Sequence, residues 1–264
     1  MRKLLLAIAT LVSSAAGAAF AADWPVPPAA PVGAVFIPPF TWTSCYIGLN
    51  IGGGWGQKNI ADPAVLVEDL LLGLPSPFVT PVALGPNGYL VGGQFGCDYQ
   101  PAGSNWVIGL EAAFSGANIR NETFVPLPLG DPGDQALVNA RLDFIPSGTV
   151  RLGYAWDRLL LYVKGGAAGA SDKYSISGVF TAVTNPTPFN FQGLDLRVGW
   201  TAGAGLEFAL WEDWSVKVEY DYYGFGHNSV LMSDSNLALS APVDIKQSIQ
   251  TAKIGLNFHM WSYK

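Results

Sequence analysis

Charge is scarce in this 264-residue chain. Only 13% of the residues are Asp, Glu, Lys or Arg, and 20 acidic against 14 basic side chains leave a net charge of −6. That balance excludes nucleic acid as a partner, since phosphate binding needs clustered Lys and Arg. Histidine is rarer still. His227 and His259 are the only two, without metal-ligand spacing between them, so no metal or other cofactor is implied. Long hydrophobic runs are also missing. Beyond the opening residues no apolar stretch approaches the roughly 20 residues of a membrane-spanning helix, although half of the chain is hydrophobic. Cysteine occurs only at positions 45 and 97. Neither follows a signal-cleavage site, which excludes a lipoprotein anchor.

The chain does have a distinct beginning. Met1-Arg2-Lys3, an apolar run from Leu4 to Val12 and the small-residue close Ala19-Phe20-Ala21 follow the order of a cleavable export signal over residues 1–21. A proline-rich stretch then covers 22–43 and reads as an extended periplasmic linker. The remainder, 44–264, is expected to be one domain.

That domain is rich in glycine (31) and aromatics (14 Phe, 10 Tyr, 9 Trp), and its apolar residues alternate with polar ones. From Trp214 to Tyr222, the residues Trp214, Val216, Val218, Tyr220 and Tyr222 share one face. Ser215, Lys217, Glu219 and Asp221 share the other. Period two is the signature of a strand with unlike faces. A chain apolar on average but never continuously so fits strands that turn one face to lipid. Eight such segments are expected, at about 45–57, 88–99, 105–116, 146–156, 158–170, 200–210, 214–223 and 251–258. Three joins among them are tight turns. The other four, 58–87, 117–145, 171–197 and 224–248, are long. The fold expected is all-β: an eight-stranded antiparallel up-and-down transmembrane barrel with three short periplasmic turns and four long extracellular loops. Trp106, Trp156, Trp211 and Trp214 fall at the short-turn ends, where an interfacial aromatic girdle belongs.

The same alternation assigns an interior. Asp98, Glu111, Arg151, Lys164, Glu207, Lys217, Glu219, Asp221 and Lys253 should point inward, with Asn50 and Gln94 beside them. An eight-stranded barrel is just wide enough for side chains to fill, and unpaired buried charges are costly. The set therefore reads either as a salt-bridged plug or as a gate whose partners exchange. Cys45 and Cys97 fall on adjacent strands with outward parity, and either a disulfide or two free thiols is compatible with that. His227-Asn228-Ser229 with Asp234 supplies the residue types of a hydrolase, yet loops are commonly built from them. The chain is expected not to be an enzyme.

Several segments carry a family resemblance. Phe40-Thr41-Trp42-Thr43-Ser44-Cys45-Tyr46-Ile47-Gly48-Leu49-Asn50 followed by Gly53-Gly54-Trp55-Gly56 is similar to the first strand of the porin-like outer-membrane immunogenic proteins. Gly92-Gly93-Gln94-Phe95-Gly96, Val150-Arg151-Leu152-Gly153-Tyr154-Ala155, Leu161-Tyr162-Val163-Lys164-Gly165-Gly166-Ala167 and Val218-Glu219-Tyr220 extend the match. The resemblance implies an OmpA-type barrel in the cell outer membrane, non-enzymatic, supporting envelope integrity and presenting antigenic surface loops. A narrow channel for small solutes or ions, and a surface binder of haem or host ligands, are the alternatives. Implied partners are outer-membrane lipid and lipopolysaccharide, and the barrel-assembly machinery during biogenesis. Peptidoglycan and a host surface are further candidates, with a monomer as the expected state. Relatives usually carry aromatics where this chain has its cysteines. Lys253, Gly255 and Phe258 fit the assembly signal, but six residues, 259–264, follow it.

Overall fold

The computed structural model describes residues 40–61, 82–127, 133–181 and 186–260. The expected export signal, the linker up to residue 39 and the last four residues lie outside these. Every regular element described is a strand: β1 (Ser44–Ile60), β2 (Val82–Leu84), β3 (Asn87–Tyr99), β4 (Trp106–Pro126), β5 (Gln135–Trp156), β6 (Leu159–Phe180), β7 (Thr187–Ala209), β8 (Trp214–Asp234) and β9 (Leu239–Met260). All neighbours are antiparallel, and β1 pairs with β9 to close the ring. The ninth element, β2, falls within the join expected at 58–87. β2 pairs with the end of β1 and is cut from β3 at Gly85-Pro86, where proline has no amide hydrogen for the ladder.

Stagger sets the shape. Partners followed round the ring from Trp106 run through Tyr154, Leu161, Leu206, Val218, Ile254, Ile51 and Val91 back to Gly116 on the starting strand. The return is ten residues higher, which tilts eight strands by roughly 40°. From the short turns up to Trp200 the ring has no free sheet edge, as a lipid setting demands.

The outer wall is apolar between two aromatic levels. Tyr99, Trp106, Trp156 and Trp214 are exposed at the short-turn end, and Trp211 lies in the adjacent turn. A second level, not anticipated from the sequence, holds Trp55, Tyr89, Trp200 and Tyr220. Tyr99 and Tyr89 stand ten residues apart on β3. At about 3.3 Å per residue and the tilt above, that is roughly 25 Å, the height of an outer-membrane apolar band.

Three of the four long joins are not structureless. Strand pairing continues through most of 117–145, 171–197 and 224–248, leaving connections at 127–134, 181–186 and 235–238. β-Bulges interrupt the pattern in 117–145 and 224–248, whereas through 171–197 the alternation runs on unbroken. Register shifts occur between Leu142 and Phe144 on β5 and between Gly224 and Gly226 on β8, the latter with Gly226 at φ +67°. One extra residue exchanges the inward and outward sets. Thus β8 buries odd positions up to Phe225 but even ones from Val230 to Asp234. A single period-two pattern cannot be followed across such a point. Only the join after β1 stays long, and residues 62–81 of it are not described.

The end of the expected linker also differs. Residues 40–43 fold against the short-turn mouth. Trp42 is 1% exposed, its Nε1 donating to the Asp157 carbonyl (3.0 Å) and its amide to Gln100 Oε1 (2.9 Å). It packs with Val107, Ala155, Leu160 and Ala209 as a stopper of the lumen.

Candidate functional site

The lumen is the place where this fold concentrates chemistry, and β6 samples it from end to end. Its buried residues run from Leu160 through Tyr162, Lys164, Ala168, Ala170, Asp172, Tyr174 and Ile176 to Phe180. Apolar and ionic layers therefore alternate along the axis.

The first ionic layer contains every charged residue assigned inward from the sequence, and all nine are buried. Arg151 binds Glu207 (2.7 Å) and lies 3.3 Å from Asp98. Lys164 binds Glu219 (2.6 Å), Glu111 (3.1 Å) and Asp221 (3.2 Å). Lys217 joins Glu111 (2.7 Å) to Glu219 (3.2 Å), and Lys253 joins Asp221 (2.6 Å) to Glu219 (2.9 Å). Four cations thus face five carboxylates, a residual charge of −1 if His259 is neutral. Coulomb attraction offsets desolvation only when such pairs are also hydrogen-bonded, and neutral side chains supply those bonds. The Tyr46 hydroxyl donates to Glu111 (2.8 Å) and accepts from Arg151 (2.7 Å), while that of Tyr162 donates to Glu219 (2.8 Å). Both rings lie beside the Arg151 guanidinium, at 5.5 and 4.2 Å from their centroids. Each phenol rests on a glycine of the next strand, Gly96 or Gly205, where any side chain would collide with it. His259 bridges Ser44 and Ser215, each at 2.8 Å. A chain of amides, Asn50 to Gln94 (2.5 Å) to Asn257 (2.7 Å) to Glu207 (2.7 Å), completes the layer.

Above it lies an apolar belt that includes Leu90, Ile119, Leu142, Ile145, Phe225 and Ile249. A second ionic layer follows, which the sequence reading missed. Lys58 meets Asp172 at 2.5 Å, Arg197 meets Asp195, and Asn228 donates to Asp195 (2.6 Å). Gln247 accepts from Tyr174 (3.1 Å). The signal was available. Lys58 continues the parity of Asn50 and Asp172 that of Lys164, while Asp195 and Arg197 continue that of Glu207. All four positions fall within the joins expected at 58–87 and 171–197, and the alternation runs on through them. An apolar cap with Val138, Ile176, Phe189, Phe191 and Met232 fills the far end.

The remaining candidates take separate places. Cys45 and Cys97 are directly opposite on β1 and β3 and form a disulfide on the outer wall. Phe258 faces outward against Trp214, whereas Lys253 joins the ionic layer and Gly255 lies beside Lys217. The residues after Phe258 do not begin a separate extension. His259 and Met260 belong to β9, with His259 inside the barrel. His227 and Ser229 are exposed on β8, while Asp234 is buried at its tip and accepts from the amides of Asn190, Asn236 and Leu237. These three do not converge.

The family model for an outer membrane protein beta-barrel domain matches residues 6–258. The 31 kDa outer-membrane immunogenic protein of Brucella melitensis biotype 1 is 27% identical over 253 residues, covering 95% of this chain and 97% of the relative. The 25 kDa outer-membrane immunogenic protein of Brucella abortus biovar 1 is 25% identical over 273 residues, covering 98% of each. Among solved structures, the Escherichia coli outer membrane protease OmpT aligns with TM-score 0.44 and 10% identity over 85% of this chain and 99% of its own. The attachment invasion locus protein Ail of Yersinia pestis aligns with TM-score 0.36 and 12% identity over 83% and 100%. A closed antiparallel ring with an apolar outer wall, matched over nearly all its length by that model, belongs to the outer membrane protein beta-barrel domain family and resides in the outer membrane.

Proposed function

We propose that this protein is a non-enzymatic structural element of the outer membrane, a filled barrel that supports envelope integrity and presents the hairpin tips opposite its short turns as surface antigens. The observation that carries this reading is the lumen's filling. Trp42, two ionic layers and two further apolar layers leave paired or packed side chains at every level of the described barrel. A solute path would need these layers to part, and parting the first ionic layer strands buried charges. The reading is tested in a deletion strain by detergent sensitivity, vesicle shedding and small-solute uptake. A leaky, vesiculating envelope with unchanged uptake is the expected result. Reduced uptake with an intact envelope would overturn it in favour of a channel.

A further inference from the structure

The outer wall carries one row of charge that barrel packing does not explain. Arg120 on β4 pairs across the ladder with Arg141 on β5, and Arg141 pairs with Lys173 on β6. All three point outward and are exposed. Like charges directly opposite each other are unfavourable in a sheet, and this chain has few cations to place. Asp143 answers two of them, at 2.5 Å from Arg141 and 2.8 Å from Lys173, while Arg120 is held by the neutral Asn118 (2.9 Å). The nearby Glu122 accepts from Asn139 (2.6 Å).

The same row continues to Leu194 on β7, the partner of Lys173. Leu194, Leu196 and Val198 are the most exposed large hydrophobic residues described, at 75, 82 and 81%. They stand above Trp200, so the apolar wall rises higher on β7 than the second aromatic level. No ladder pairs join β7 to β8 between Gln192 and Trp200. A groove of about 620 Å³ lies here, lined by Arg141, Lys173, Ser175, Gln192, Leu194 and Leu231 among others. Lys173 is fourteen residues along β6 from Leu159 at the short-turn end. At the barrel's tilt that is roughly 35 Å, beyond an apolar band of about 25 Å and within the headgroup layer of the far leaflet.

We infer that this groove seats one phosphorylated lipid of the outer leaflet, with a phosphate against Arg141 and Lys173 and an acyl chain along Leu194, Leu196 and Val198. Charge complementarity and continuity with the lipid-facing wall select that occupant. One carboxylate, Asp143, stands between Arg141 and Lys173 while Arg120 is held by the neutral Asn118, so the row keeps an excess of positive charge that a neutral lipid would not meet, and a soluble anion would leave Leu194, Leu196 and Val198 uncovered. The assignment depends on the barrel's placement in the outer membrane and not on its structural role, so either can fail without the other.

Native mass spectrometry of the full-length protein in a neutral detergent tests it, using bis-phosphorylated lipid A, its dephosphorylated form and inorganic phosphate as probes. The protein should retain one phosphorylated lipid and discriminate against the dephosphorylated one. Arg141→Gln with Lys173→Gln should weaken retention roughly twenty-five-fold, at about five-fold for each cation removed near a lipid surface. Leu194→Ser with Leu196→Ser should also weaken it. Equal binding of both lipids by the unaltered protein would overturn the proposal without any variant having to fold. Retention unchanged in the glutamine pair, or displacement of the lipid by millimolar phosphate, would do so as well.

Discussion

Replacing Arg151 by Met separates a lumen held by ion pairs from one merely lined by charges. Arg151 is 1% exposed and touches Glu207, Asp98 and the Tyr46 hydroxyl, with two aromatic rings beside it. Met keeps most of the length and removes the charge. Glu207 would keep Ser215 and Asn257 as donors, but Arg151 is the only ion-pair partner recorded for Asp98 among the described residues. The layer would then hold three cations against five carboxylates. Breaking a buried pair by removing one partner costs about 3–5 kcal/mol, so Arg151→Met should unfold at clearly lower urea concentration in detergent micelles. Gel mobility with and without heating follows the loss of the barrel. Adding Asp98→Asn returns the excess to one carboxylate and should recover a substantial part of the loss. A cost below about 1 kcal/mol for the single variant, or no recovery in the double, would refute the pairing argument. Planar-bilayer recordings of the same variants address the gate. A filled wall predicts no discrete conductance before or after the substitution, whereas a step that appears with Arg151→Met would mean the layer had been closing a path.

Other outcomes follow from separate parts of the structure. Cys45→Ser with Cys97→Ser removes a cross-link spanning 52 residues, which the chain-entropy model values at about 4 kcal/mol; urea unfolding of oxidised and reduced protein should show the same gap, absent in the variant. Trp42→Ala should cost about 3–5 kcal/mol, as expected for emptying a well-packed aromatic site, and solvent quenching of lumen tyrosine fluorescence should rise with it. At the tip of β8, burial works against the charge of Asp234, but three backbone amides outweigh it and hold its carboxyl below the ordinary range. A depressed folded-state pKa gives stability that is present above the unfolded value of about 4 and is lost as pH falls through the folded one. Hydrogen exchange at Asn190, Asn236 and Leu237 should therefore quicken below about pH 4, and Asp234→Asn should abolish that dependence.

The site was legible wherever alternation ran unbroken. Trp214 to Tyr222 displays both faces directly, and the nine lumen charges fall on the inward set by the same rule. Ser215 and Asn257 lie on the same inward faces, and Tyr46 and Tyr162 obey the rule too, their inward parity masked by an aromatic character that suits lipid as well. The second ionic layer obeys the rule as well, but Lys58 falls in the join expected at 58–87 and Asp172, Asp195 and Arg197 in the one expected at 171–197. β5 and β8 are different, because an extra residue near Asp143 and the turn of backbone at Gly226 reset the phase. Nothing local to Val230 or Met232 tells that they point inward.

The sequence by itself determined that strands would cross a membrane, how many would do so, and, along the unbroken stretches of alternation, which residues would face outward, because a side-chain period of two is a property of extended backbone alone. Partner choice needed the closed ring. Which carboxylate meets which ammonium, whether Cys45 reaches Cys97, and how Arg120, Arg141 and Lys173 come into one row all depend on the stagger of neighbouring strands. That stagger is fixed by how eight tilted strands close on themselves, a condition on the whole sheet that no single segment encodes.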